Sequence, residues 1–205
     1  MKLTRYDEHI LQYDDVCTDD DSNNIIEWCH KHRYRGYDGD ENIASMEKTS
    51  IRHNKSYDIT KTLHSTNDEE VRSDLEKADT LCNEIFSKVY QSYQQDAKLY
   101  QYYTLNVNIT TLGSDYVYRC YDGNEKEYYN WHVDRDIQQD LIDSHLLYLN
   151  DDFEGGDTKF LVQRLRVKPK KNSMIVFPCG PGFIHKGTPV ISGYKKIIWS
   201  CFFKV

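Results

Sequence analysis

The chain has 205 residues, a length that fits one domain with a substantial buried core. Its formal net charge of −7 disfavours a nucleic-acid partner, because phosphate binding draws on clustered Lys and Arg. No run approaches the ~20 apolar residues that cross a bilayer, and the first residues lack the apolar stretch of a signal peptide. We therefore expect a cytoplasmic protein with neither a nucleic-acid nor a membrane partner.

The N-terminal half predicts a helix-rich layer. Residues 20–31 predict a helix that begins in an acidic run, and residues 51–59 predict a strand. Over residues 68–103, apolar side chains recur at three- and four-residue steps without Gly or Pro. This pattern predicts one long helix, or two in sequence, packed on a sheet. We expect residues 1–103 to form a support layer.

The character of the chain changes at residue 104 to short candidate strands separated by turn sequences. The candidate strands are 105–111, 115–121, 131–135, 144–149, 158–161, 164–168, 173–177, 187–191 and 195–203. Many short strands at this spacing predict an α+β, mainly β, fold: a jelly roll, or double-stranded β-helix, of the cupin kind. With no linker in sight, we expect one domain over residues 1–205, with 104–205 as the core that carries the site.

The six cysteines bear on metal binding and on the redox environment. None of them lies in a Cys-x-x-Cys pair, which disfavours a structural zinc site. Without a signal for secretion, we expect all six to be reduced thiols.

The tripeptide His132-Val133-Asp134 and the later His185 are candidate metal ligands. The tripeptide alone is weak evidence, because the composition predicts roughly one His-x-Asp by chance. On a strand, however, residues two apart point to the same side, so His132 and Asp134 would project together into the sandwich. Two imidazoles and one carboxylate suit a non-haem Fe(II) centre with open positions. Zinc would accept the same ligands.

A candidate co-substrate contact is Lys195, just after Gly193 at the start of an apolar strand. Lys195 and Lys196 alternate across that strand, so only one of them faces inward. A charge inside the sandwich needs a partner, because an unpaired buried charge is costly. A dicarboxylate such as 2-oxoglutarate would be that partner, whereas an exposed Lys195 would need none.

Five segments, taken in order, carry a resemblance to a known family. They are Tyr121-Asp122-Gly123 with Tyr129-Asn130-Trp131-His132-Val133-Asp134; Leu147-Tyr148-Leu149-Asn150-Asp151; Gly155-Gly156-Asp157-Thr158-Lys159-Phe160; Val167-Lys168-Pro169 with Ser173-Met174-Ile175-Val176-Phe177; and His185-Lys186-Gly187-Thr188-Pro189-Val190 with Gly193-Tyr194-Lys195. Together they resemble the prolyl 4-hydroxylase branch of the Fe(II)/2-oxoglutarate-dependent dioxygenases. The likeness is strong over residues 115–203 and weak before them.

The resemblance implies a set of roles. His132, Asp134 and His185 would be iron ligands, and Lys195 would anchor the 2-oxoglutarate carboxylate. Tyr121 would be a second contact to that carboxylate. Tyr129 is its alternative, because the stretch from Tyr121 to His132 is somewhat longer than the family's.

The same resemblance implies a hydroxylase acting on prolyl residues in a peptide or protein. It would use Fe(II), 2-oxoglutarate as co-substrate and O₂, with L-ascorbate as a further candidate. The alternatives are a dioxygenase acting on a free amino acid or another side chain, a nucleic-acid oxidative demethylase, and a non-catalytic binding protein. Trp131 would line the substrate entrance or simply pack. The polar, Gly-bearing segment 122–128 predicts a mobile lid. The substrate, the carbon attacked and the oligomeric state stay open.

Overall fold

The computed structural model describes residues 1–32, 45–48, 51–97, 111–113, 115–134 and 141–204. Most of the strand predicted over residues 105–111, and the end of the helix predicted over 68–103, lie outside these residues. No helix in the described ranges is both long enough and apolar enough to span a membrane.

Three helices lie in the described part of the N-terminal half: α1 (Asp19–His32), α2 (Ile59–Ser65) and α3 (Glu69–Asp96). The carboxylate of Asp58 caps α2 by accepting from the amide of Lys61. Asp68 caps α3 by accepting from the amides of Glu70 and Val71. The prediction of α1 and of a long α3 is correct, whereas the short α2 was not predicted.

Fifteen strands lie in the described residues. They are β1 (Lys2–Arg5), β2 (Leu11–Asp14), β3 (Ser45–Lys48), β4 (Arg52–Asp58), β5 (Thr111–Gly113), β6 (Val117–Asp122), β7 (Tyr128–His132), β8 (Leu141–Tyr148), β9 (Glu154–Gly155), β10 (Thr158–Phe160), β11 (Leu165–Val167), β12 (Ser173–Pro178), β13 (His185–Gly187), β14 (Val190–Ser192) and β15 (Tyr194–Lys204).

Thirteen of these strands form one sheet, in which the order β1-β2-β12-β8-β15-β6-β4-β7-β13-β10-β11 is antiparallel throughout. The sheet curls back on itself. Strands β12 and β13 are far apart in this order, yet the rings of Phe177 and His185 are 4.6 Å apart between centroids. The predicted jelly-roll fold is confirmed.

The central strands β6 and β12 bury both of their faces, and alternate side chains divide the interior into two clusters. Leu147, Val176 and Ile198 face outward and pack with the apolar stripe of α3. Their neighbours Leu146, Phe177 and Ile197 face into the curl of the sheet. The helices therefore support the sheet from outside and leave the inner face to form a cavity.

The structure differs from the predicted elements in further places. The strand predicted over residues 131–135 lies instead at Tyr128–His132, so Asp134 follows the strand rather than lying on it. The candidate strand over residues 187–191 is divided between β13 and β14, with Pro189 between them, because proline lacks the N–H that a ladder needs. The N-terminal half also supplies strands, and β4 lies in the sheet between β6 and β7. The division of one domain at residue 103 stays a prediction.

Candidate active site

The three candidate metal ligands meet at one end of the cavity. His132 ends β7, His185 begins β13, and these residues are directly opposite in the pairing of the two strands. Asp134 follows the end of β7. Its Oδ1 lies 3.4 Å from Nε2 of His132, and its Oδ2 lies 3.6 Å from Nε2 of His185. One donor atom from each residue lies within 4.8 Å of the others.

Both imidazoles are oriented with Nε2 toward the carboxylate. Nδ1 of His132 donates to the carbonyl oxygen of Asn130 at 2.7 Å, and Nδ1 of His185 donates to that of Phe183 at 3.0 Å. Because a carbonyl oxygen only accepts, these contacts place the proton on Nδ1 and leave the Nε2 lone pair for a metal.

The electrostatics of the cluster favour the protonation states that bind a cation. Burial lowers the pKa of His185 to about 4, against the opposing charge of Asp134, and keeps its ring neutral. Burial alone would raise the pKa of Asp134, but the neighbouring His132 and His185 side chains bring it below its usual value. In the described structure, Oδ2 of Asp134 is buried without a hydrogen-bond partner.

This donor set fits a divalent iron. A buried carboxylate oxygen without a hydrogen bond is costly unless a ligand satisfies it. Two neutral imidazoles and one carboxylate on one face are the donors of the facial triad of non-haem Fe(II) enzymes, and they leave the other face open.

Lys195 lies in the same cavity and is buried, with 4% of its surface exposed. Its Nζ donates to the carbonyl oxygen of Gly156 at 2.6 Å. Gly156 adopts a φ of +66°, and a Cβ there would lie 3.0 Å from Cδ of Lys195, so the glycine makes room for the lysine stem. Burial lowers the pKa of Lys195 to about 8, against the opposing charge of Asp157.

The two candidate tyrosines occupy different parts of the cavity. Tyr121 pairs with Lys195 between β6 and β15, and the Lys195 Nζ lies 5.6 Å from the centre of its ring. Tyr129 instead stacks on His132, with ring centroids 3.4 Å apart. This arrangement favours Tyr121 as the partner of Lys195. Trp131 is 37% exposed, and the Lys186 Nζ lies 4.6 Å from its ring centre.

Several residues around the cavity were not predicted from the sequence. Arg119, Thr158 and Trp199 line the cavity together with the triad and Lys195. Thr158 hydrogen-bonds the hydroxyl of Tyr148, whose ring centre lies 5.4 Å from the Lys195 Nζ. A sequence signal existed for both, since they belong to segments of the family resemblance. Arg119 had no such signal.

Three solved structures share the fold of this chain. The first is the viral collagen prolyl hydroxylase vCPH of Paramecium Bursaria Chlorella virus-1 with 2-oxoglutarate, at 18% identity and a TM-score of 0.63, and the match covers 96% of this chain and 97% of that one. The second is a prolyl hydroxylase of Trichoplax adhaerens with a hypoxia inducible factor peptide fragment, at 13% identity and a TM-score of 0.66, covering 96% of this chain and 84% of that one. The third is a Pseudomonas putida prolyl-4-hydroxylase, at 18% identity and a TM-score of 0.61, covering 96% of this chain and 94% of that one.

The sequence itself also matches a family. No curated protein sequence matches this chain. The family model of the 2OG-Fe(II) oxygenase superfamily, however, matches residues 116–204, which include the metal-ligand triad and Lys195. The resemblance of the sequence to the 2OG-Fe(II) oxygenase superfamily is thereby confirmed over residues 116–204.

Proposed function

We propose that this protein is an Fe(II)- and 2-oxoglutarate-dependent hydroxylase that acts on prolyl residues in a peptide or protein. The observation that carries the proposal is the convergence of His132, Asp134 and His185 at one end of a cavity that also holds the buried Lys195. When bound, ferrous iron with 2-oxoglutarate supplies the oxidising power that transfers an oxygen atom from O₂ to a substrate C–H bond.

The triad would bind and orient the metal. The Nε2 atoms of His132 and His185, with the carboxylate of Asp134, supply the donor atoms. The carbonyl groups of Asn130 and Phe183 fix the two ring orientations through Nδ1. Trp199 donates from Nε1 to the hydroxyl of Ser144 at 3.0 Å, which fixes the indole beside the site.

Lys195 would hold the far carboxylate of the co-substrate. An ammonium has three N–H donors, and the carbonyl oxygen of Gly156 accepts one of them. A charge-assisted hydrogen bond to a carboxylate is stronger than a neutral one and would stabilise the ammonium against its burial. Tyr121 covers one side of Lys195 and helps to exclude water from this contact.

The surface beside the metal site suits a prolyl substrate. The exposed Trp131 stands next to His132 in sequence, and the exposed aromatic edge suits a proline ring or an extended chain. The relatives support this choice, because the Trichoplax adhaerens prolyl hydroxylase was solved with a peptide fragment. A cytoplasmic location is part of this proposal, supported by the free thiols of all six cysteines.

The test combines turnover with substrate identification. Purified protein with Fe(II), 2-oxoglutarate and ascorbate is incubated with a panel of proline-rich peptides and with free L-proline. Succinate is quantified, and mass spectrometry detects an added oxygen. We expect oxidation of a prolyl residue coupled to succinate release. Oxidation of the free amino acid with no oxidation of any peptide would reject the prolyl substrate but keep the chemistry.

A pair of histidine variants provides the control. His132→Ala should lose both iron binding and succinate release, because one of three protein ligands is removed. His64 lies in the last turn of α2 and is exposed, so His64→Ala should leave both unchanged. Turnover by His132→Ala at the unmodified rate would refute the assignment of the metal centre.

A further inference from the structure

Arg119 is a second buried cation in the cavity. It lies on β6, two residues before Tyr121, and pairs with Ile197 of β15. Only 7% of its surface is exposed. Alternation along β6 turns Tyr118 toward the helices and leaves Arg119 on the cavity side with Tyr121.

The guanidinium of Arg119 is held by aromatic rings rather than by an acid. Its Cζ lies 4.5 Å from the ring centre of Trp199 and 5.7 Å from that of Tyr129. Within the part of the chain that the structure describes, its buried Nε has no hydrogen-bond partner, and no carboxylate forms an ion pair with it. The two rings fix the plane of the fork but satisfy none of its N–H donors.

Arg119 therefore buries an Nε–H that has lost water without gaining an acceptor among the described residues, and such a buried donor is costly. Its fork of parallel donors matches a carboxylate in two-point geometry. The missing acceptor therefore fits a ligand that brings its own negative charge into the cavity.

We propose that Arg119 is a carboxylate-binding residue, which receives a carboxylate that a ligand carries into the cavity beside the metal triad. Lys195 pairs with Tyr121 and Arg119 pairs with Ile197, so the two cations are diagonal neighbours on β15 and β6. With the far carboxylate of the co-substrate on Lys195, Arg119 meets either its oxo-acid carboxylate or a carboxylate of the substrate. The choice between these ligands rests on the proposed function.

Matched ligand pairs distinguish the two sources. The first pair is 2-oxoglutarate and levulinate, in which a methyl group replaces the oxo-acid carboxylate. The second is L-proline and L-prolinamide. The third is a proline peptide with a neighbouring glutamate and the same peptide with glutamine. Affinities are measured by titration calorimetry on protein loaded with Zn(II), which accepts the same nitrogen and oxygen ligands without redox chemistry.

Arg119→Met removes the charge and keeps much of the volume. In at least one pair, it should weaken the carboxylate-bearing member about tenfold or more, since a charged hydrogen bond is lost, and leave the other member unchanged. The affected pair identifies the source. Arg119→Lys should recover part of the affinity, because it keeps the charge but not the planar fork. Unchanged affinity in every pair, or an equal loss for both members, overturns the proposal.

Two further measurements serve as controls for the Arg119→Met titrations. Arg72→Met removes an exposed arginine of α3 and should leave every affinity at the wild-type value. The unfolding temperature of ligand-free Arg119→Met should equal or exceed that of the wild type, because an unpaired buried charge is gone. A clear decrease would make Arg119 a packing residue and contradict the proposal. Because no turnover is needed, these titrations stand even if the hydroxylase assay fails.

Discussion

Charge balance within the cavity explains why replacing a single charged side chain should change ligand binding. Asp134 supplies a single carboxylate to the triad, whereas Lys195 and Arg119 place two cations in the same buried space. A divalent metal adds further positive charge. The cavity therefore attracts anions, and a small diacid that enters it neutralises these two cations.

A pH dependence of co-substrate affinity follows from Lys195. Burial lowers its pKa in the free protein to about 8, and a bound carboxylate would raise it again. Binding requires the ammonium, so affinity should be constant below pH 8 and should fall above it, by up to about tenfold per pH unit. Titration calorimetry of the Zn(II)-loaded protein with 2-oxoglutarate between pH 6.5 and about 9.5 measures this change.

Lys195→Arg separates this titration from those of other groups. The guanidinium stays protonated throughout the range, so the decline above pH 8 should disappear even if the affinity itself is lower. All other titrating residues are shared by the two proteins. An identical decline in both would exclude Lys195 as its origin.

Among the elements, the turn between β6 and β7 is built more firmly than its composition suggests. The amide of Gly123 donates to the carbonyl of Gly193 at 2.9 Å, and that of Val190 donates to the carbonyl of Glu127 at 3.0 Å. The buried Glu127 carboxylate accepts from the Asp122 amide at 2.7 Å. A Cβ on Gly123 would lie 2.6 Å from Cα of Ser192, so only glycine allows this approach.

Hydrogen exchange distinguishes a fixed turn from the mobile lid that the sequence predicts for this segment. We expect the amides of Asp122 and Val190 to exchange as slowly as those of the sheet, because opening must break several bonds at once. Exchange monitored by NMR would report this directly. Glu127→Ala should accelerate exchange at Asp122, whereas the exposed Glu125→Ala should not. Fast exchange of both amides in the wild type would instead support a mobile lid over residues 122–128.

The elements that can be predicted from the sequence are those marked by a local pattern of residues. The stripe of α3 and the short strands of the second half follow from periodicity, and the metal residues follow from motifs. Arg119 escaped prediction because both faces of β6 are buried, so no polar–apolar alternation marks which side chains point into the cavity. Nor does periodicity fix strand order, and β4 joins β6 and β7 only through long-range pairing.

At the scale of the whole molecule, the halves of the chain are interleaved. Strand β4 pairs with β7, whose last residue is His132, and β2 pairs with β12. The Asp74 carboxylate of α3 contacts Lys31 and His32 of α1 at 2.8 and 2.9 Å, which ties the helices together. The family model begins only at residue 116, yet the strands it covers depend on partners from the first half.

This interleaving predicts that the chain unfolds as one cooperative unit. Trp28 lies in α1 and Trp199 lies in β15 of the sheet, so each can report on one half. Two variants, each retaining one of these tryptophans and carrying Phe in place of the other two, are unfolded in urea and followed by fluorescence. Loss of β4 or of the helix layer exposes the outer sheet face, so the two midpoints should coincide within error. Circular dichroism of both variants, which averages over the whole chain, provides the common reference. A Trp28 transition at clearly lower urea than the Trp199 transition would instead define residues 1–103 as a separately unfolding layer.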